Sequence, residues 1–89
     1  MAYNAKDLSV LAYANGFTLW HYKTDDAAGA VDTQNYFNDA ADVFRAGDMI
    51  LANTGNGGSV AAGLFLVSNA DAGSVDVHDL LPVGAVNTD

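Results

Sequence analysis

The residues that could do chemistry in this chain are two histidines and eleven aspartates. Asp76 and His78 alternate on one segment, and His21 is the second imidazole. Two imidazoles and a carboxylate are a plausible zinc set. The spacing, however, is that of any alternating strand, and a solvated or core-edge histidine is the simpler reading. Asp25-Asp26 and Asn69-Ala70-Asp71-Ala72-Gly73 place oxygen ligands close together, as a calcium loop does. Neither has the alternating ligands and closing Glu of a helix-loop-helix calcium site, so both read as Asx turns. The run TGNGGS, Thr54 to Ser59, is Gly-rich, but no Lys follows it. A phosphate-binding loop requires that Lys and a following helix, whereas Asn56-Gly57 is a hairpin signal. Eleven Asp guarantee chance carboxylate pairs. None stands out by spacing, and there is no nucleophile elbow. The expectation is a protein that is not an enzyme and has no cofactor and no metal.

The elements that would position these groups centre on Tyr36 to Thr54. Asn38 is a candidate N-cap for a helix over Asp39 to Arg45, with Asp39 and Asp42 in its first turn and Arg45 in its last. Ala40, Val43 and Phe44 share one face by spacing. Gly47 is the stop, and Met49 to Ala52 is an apolar strand expected to be buried on both faces. Upstream, Phe17 to Lys23 is a strand by its aromatic and β-branched content. Phe17, Leu19 and His21 point one way, and Thr18, Trp20 and Tyr22 the other. With bulky groups on both sides, it is either central or completed by a partner. Thr24 to Gly29 reads as a turn, and Ala30 to Thr33 as a short strand. Downstream, Val60 to Ser68 returns along Met49 to Ala52 as an antiparallel hairpin partner. Ser74 to Leu80 alternates with Val75 and Val77 inward, and Pro82 ends it.

The fold expected is mainly β: a small antiparallel barrel or sandwich of about five strands with one short α-helix. Residues 1–15 form an N-terminal arm, 16–82 the β-rich domain and 83–89 a tail. At 89 residues the chain is one domain with a thin core. It has no cysteine to reinforce that core, so a partner surface is a natural supplement. The net charge of −8, with every acid an Asp, opposes binding to nucleic acid or an anionic membrane. The N-terminus has no basic and apolar blocks of a signal peptide, so synthesis in a cytoplasm is expected. Leu8, Val10 and Leu11 of the arm, with Trp20, Tyr22, Tyr36 and Phe37, are the candidate protein interface. Aromatics of this kind anchor interfaces when they are not core.

The segments NGFTLWHYKT (Asn15 to Thr24) and VDTQNYFNDAADVFRAGDMILAN (Val31 to Asn53), followed by the Gly-rich hairpin and SVDVHDL, carry a family resemblance. The chain resembles small β-rich head-associated or decoration proteins encoded among the virion structural genes of tailed bacteriophages. The resemblance covers most of the chain and implies a virion structural protein, made in the host cytoplasm, that decorates or cements the capsid. Its implied partners are the major capsid protein and itself, as a homo-oligomer with a trimer favoured. A tail, spike or fibre component is the second reading, and a soluble ligand-binding module the third. The resemblance brings no catalytic or binding residue with it.

Overall fold

Asn15 and Gly16 hold φ of 54° and 75°. Two consecutive left-handed residues make the mirror-image turn whose twist matches that of paired strands. The turn joins β1 (Leu8–Ala14) to β2 (Phe17–Lys23), with Ala14 opposite Phe17. A computed structural model describes residues 3–58, 60–71 and 73–84 of the chain. Ser59 of the Gly-rich loop, Ala72 of the NADAG turn and residues 85–89 of the expected tail, like Met1 and Ala2, lie outside the described residues.

The segment expected as an arm is therefore a 3-10 turn, Ala5–Asp7, followed by an edge strand. Its lack of clean periodicity has a cause. The register slips between Val10 and Ala12, leaving Leu11 as an extra residue in a β-bulge. Leu8 and Val10 lie opposite Tyr22 and Trp20. Past the bulge, Ala12 lies opposite Leu19 and Tyr13 opposite Thr18, so the face carried by even-numbered residues changes.

β2 and β3 (Met49–Thr54) are neighbours but run parallel, with Trp20 opposite Ile50 and Tyr22 opposite Ala52. Parallel neighbours need a long crossover, and residues 24–48 supply it. Four expectations are corrected there. The helical turn α1 is Ala28–Val31, in a stretch read as turn and strand. The expected helix over Asp39 to Arg45 is a 3-10 turn, Asn38–Ala40, followed by irregular turns. Its expected cap is engaged elsewhere, because the Asn38 Oδ1 accepts the Val75 N–H of the sheet at 2.9 Å. Of the three residues given one apolar face, Ala40 and Phe44 are buried, but Val43 is half exposed.

β3 and β4 (Ala61–Asp71) form the expected antiparallel hairpin, Ile50 opposite Phe65 and Thr54 opposite Ala61. Asn56-Gly57 does not close it as a two-residue turn, because residues 55–60 lie between the strands. The loop is instead stitched to the crossover: Gly55 N–H donates to the Asp26 carbonyl at 2.9 Å and Asn56 N–H to the Thr24 carbonyl at 3.2 Å. The far edge of β4 carries β5 (Ser74–Val77) on its C-terminal part and β6 (Leu81–Pro82) on its N-terminal part. The whole is mainly β with one short α-helix: an open, mixed, six-stranded sheet in the order β1-β2-β3-β4-β5, with β6 beside β4.

The crossover covers one face of this sheet. Trp20, Tyr22, Ile50, Ala52, Phe65, Val67, Val75 and Val77 point into it and meet Val31, Phe37, Ala40 and Phe44. β3 is consequently buried on one face only: Ile50, Ala52 and Thr54 are buried, while Met49, Leu51 and Asn53 are half-buried on the other. At Gly63 the backbone of β4 passes directly under Leu80, leaving no room for a Cβ beside the Leu80 side chain and the Leu81 carbonyl.

Candidate interaction surface

Two polar devices hold the sheet to its cover. The first is Asp48, buried at the start of β3. Its Oδ1 accepts the Thr18 N–H and its Oδ2 accepts both Trp20 Nε1–H and Arg45 N–H, each at 3.2 Å. One carboxylate thus ties β2, its tryptophan and the end of the crossover to a single point. The second is a relay. Tyr36 Oη donates to Asp26 Oδ2 at 2.7 Å. Tyr36 has one hydroxyl proton, so in the 3.0 Å contact between the phenols Tyr22 is the donor. Tyr22 Oη in turn accepts the Asn4 N–H at 3.1 Å. Burial, and then the bonds to Tyr22 and Asp26, push the Tyr36 phenol well above its usual range.

These contacts fix the place of each candidate interface residue. Trp20, Tyr22 and Phe37 are core: Trp20 meets Phe44 edge-on at 5.2 Å, and Phe37 meets Tyr22 at 5.2 Å and Tyr36 at 4.9 Å. Their tight edge-to-face packing leaves them nothing to offer a partner. Tyr36 and Leu8 are half-buried against the same core. Val10 and Leu11 stand out in solvent, at 54% and 52% exposure.

The surface that the sequence reading did not single out is the other face of the sheet. Residues opposite one another across strands share a face. Ala12, Leu19, Met49 and Leu66 make one row across four strands, and His21, Leu51, Leu64 and Leu81 the next. Among the described residues, none of these packs into the core cluster. Both rows are free of acid, although the chain carries eleven. Asp25, Asp26, Asp32, Asp39 and Asp42 lie in the crossover, Asp48 is buried, and Asp76, between the inward Val75 and Val77, stands on the outer side of β5 beyond these rows. The polar groups beside these rows on β2 and β3 are neutral or basic: His21 Nε2 contacts Asn53 Oδ1 at 2.7 Å, with Lys23 beyond. The signal for this face lay in Phe17, Leu19 and His21, whose bulk had already suggested a strand apolar on both sides.

The candidate chemical groups are scattered. β3 and β4 lie between the strand of His21 and the exposed His78, a gap of about 14 Å at the usual strand spacing. Among the described residues no group of three or more His, Asp or Glu is placed to hold a metal. Asp32 faces Asp79 and Asp76, and its carboxyl is pushed up by burial first and by those two charges second. An open groove of about 420 Å³ is lined by Asp7, Lys23, Thr24, Asp25 and Asn56. Each residue lining it is of a polar type, unlike the mainly apolar residues that line small-molecule pockets. No buried polar side-chain atom among the described residues is left without a hydrogen-bond partner. No family model, no curated protein and no solved structure matches the chain.

Proposed function

We propose that this protein is a non-catalytic structural subunit that seats the apolar rows on the open face of its sheet on a larger protein assembly. The observation that carries the reading is that face: apolar rows across five strands, uncovered by any described residue, on a molecule of net charge −8. Apolar patches of this breadth are characteristic of interaction sites. Five acids lie in the crossover that covers the other face, which favours an orientation with that side toward solvent. The resemblance to phage head-associated proteins makes the assembly a capsid and the role decoration or cementing. A tail or spike location would use the same face.

Cosedimentation with empty phage capsids tests the reading, with Leu51→Glu as the variant. Leu51 is central on the face and outside the core, so the variant folds but places a charge in the contact. Wild type is expected in the capsid pellet and the variant in the supernatant, with equal circular dichroism. Wild type left in the supernatant, or a variant that pellets equally, overturns it. A stoichiometric rise in melting temperature with a metabolite or metal would favour a ligand-binding module instead.

A further inference from the structure

We propose that two copies of the chain pair antiparallel through β1, so that their sheets continue into one another. This deepens the structural-subunit reading above and rests on it for its purpose, though not for its test.

The two open edges of the sheet are built differently. On the β5 and β6 side the strand is interrupted at residues 78–80, Pro82 removes an N–H, and Asp76 and Asp79 add like charges. These are the usual guards against strand addition. β1 reads LSVLAYA, with no charge and no Pro. Val10, Leu11 and Tyr13 are 54%, 52% and 66% exposed along it. Its one irregularity is the bulge at Leu11, a feature that can turn an edge away but here leaves a strand with neither charge nor Pro, and an apolar edge of that kind is a template for another strand.

Charge selects the occupant. Two copies at −8 each repel one another, and they approach best where neither is charged. β1 is such a stretch, and it has no acid with which to engage a basic partner. The bulge also makes the strand complementary to itself. Leu8 and Tyr13 lie opposite Tyr22 and Thr18 on the core side, and Ser9 and Ala12 lie opposite His21 and Leu19 on the outer side. A two-fold axis between Val10 and Leu11 sets Leu8 against Tyr13 and Ser9 against Ala12, each pair on one face. An unbulged strand would place these pairs on opposite faces.

Pairing also completes the docking surface. Five strands at ~4.8 Å, each presenting about five residues at ~3.3 Å, make a footprint of about 400 Å². A stable interface takes about 800 Å² from each partner. A two-fold axis normal to the sheet keeps both outer faces on one side and doubles the footprint.

Sedimentation of the wild type, Leu11→Lys and Leu51→Glu, together with oxidative cross-linking of Ser9→Cys/Ala12→Cys, tests the pairing. The chain has no native cysteine. Residues 9 and 12 of one strand are about 10 Å apart, too far for an internal disulfide. The expected result is a wild-type mass of two chains. Leu11→Lys should self-associate at least ~10-fold more weakly, a loss of about 1.4 kcal/mol, with unchanged circular dichroism. The double-cysteine variant should link into covalent dimers, whereas Val60→Cys, exposed far from β1, should not. A wild type of one or three chains overturns the pairing, as does a dimer that Leu11→Lys leaves intact. Leu51→Glu should stay dimeric while losing capsid binding. A dimer that ignores capsids sinks the functional reading alone, and a monomer that binds them sinks the pairing alone.

Discussion

Removing the Asp48 carboxylate should cost the protein a large share of its stability. Asp48→Ala strips the acceptor from three donors: Thr18 N–H, Trp20 Nε1–H and Arg45 N–H. Arg45 is exposed and Thr18 half-buried, so their amides regain water and each loses little more than an ordinary hydrogen bond, about 0.5–1 kcal/mol. The indole N–H is buried with Trp20 and stays unpaired, at about 1–3 kcal/mol. The sum is about 2–5 kcal/mol. A chain of this length is stable by about 4–13 kcal/mol in all. Urea titration followed by fluorescence reads the loss directly, because Trp20 is the sole tryptophan and itself a partner of the carboxylate. The midpoint should fall steeply with an unchanged slope. Asp48→Asn keeps one carbonyl oxygen and should lie about midway. A loss below ~1 kcal/mol for Asp48→Ala would refute the claim that this carboxylate fastens β2 to the crossover.

Gly63→Ala should destabilise by about 1–3 kcal/mol through overpacking against Leu80 and the Leu81 carbonyl. Hydrogen exchange should quicken first at Val83, whose N–H bonds Ala62 beside β6. Trp20→Ala should cost about 3–5 kcal/mol of folding stability, as for a buried aromatic, read by circular dichroism in urea. An effect on association with folding untouched would contradict the core position. Asp32→Asn should raise the melting temperature at neutral pH. The raised Asp32 pKa means the folded state holds that proton more tightly than the unfolded chain does, so stability is lost as pH rises from the ordinary Asp value through the folded one, and stays lost above it. The advantage of the variant should fade as pH falls toward the ordinary Asp value of 3.8, and an advantage that grows in acid would refute this.

The strands were legible because their signals are local. FTLWHYK, MILA and SVDV carry β-branched or aromatic runs with alternation, and the inward valines 75 and 77 follow from parity alone. The helix of Asp39 to Arg45 was misread for a tertiary reason. The Asn38 amide bonds β5, Phe37 and Phe44 are drawn into one aromatic cluster, and a segment that short follows its packing rather than its propensity. The strand in β1 was hidden by one extra residue, Leu11, which breaks the alternation that would have announced it. The parallel seam between β2 and β3 was invisible because nothing local distinguishes it from an antiparallel one. The buried role of Asp48 was likewise unreadable: a strand-opening Asp looks the same whether it faces water or an indole. Of the surface, the bulk on both sides of β2 pointed the right way, but the two acid-free rows that run across the strands need the register to be seen.

The parallel seam also sets the order in which the molecule can be assembled. β1 with β2, and β3 with β4, are each neighbours along the chain and close over short loops. The seam between these halves can form only after residues 24–48 are laid across them, and such distant pairings are the slow part of folding. During synthesis, therefore, β2 leaves the ribosome with Trp20 and Tyr22 bare until Ile50 and Ala52 follow. For that interval the aromatic core of the finished protein is its stickiest surface, and nascent chains are most at risk of clumping there.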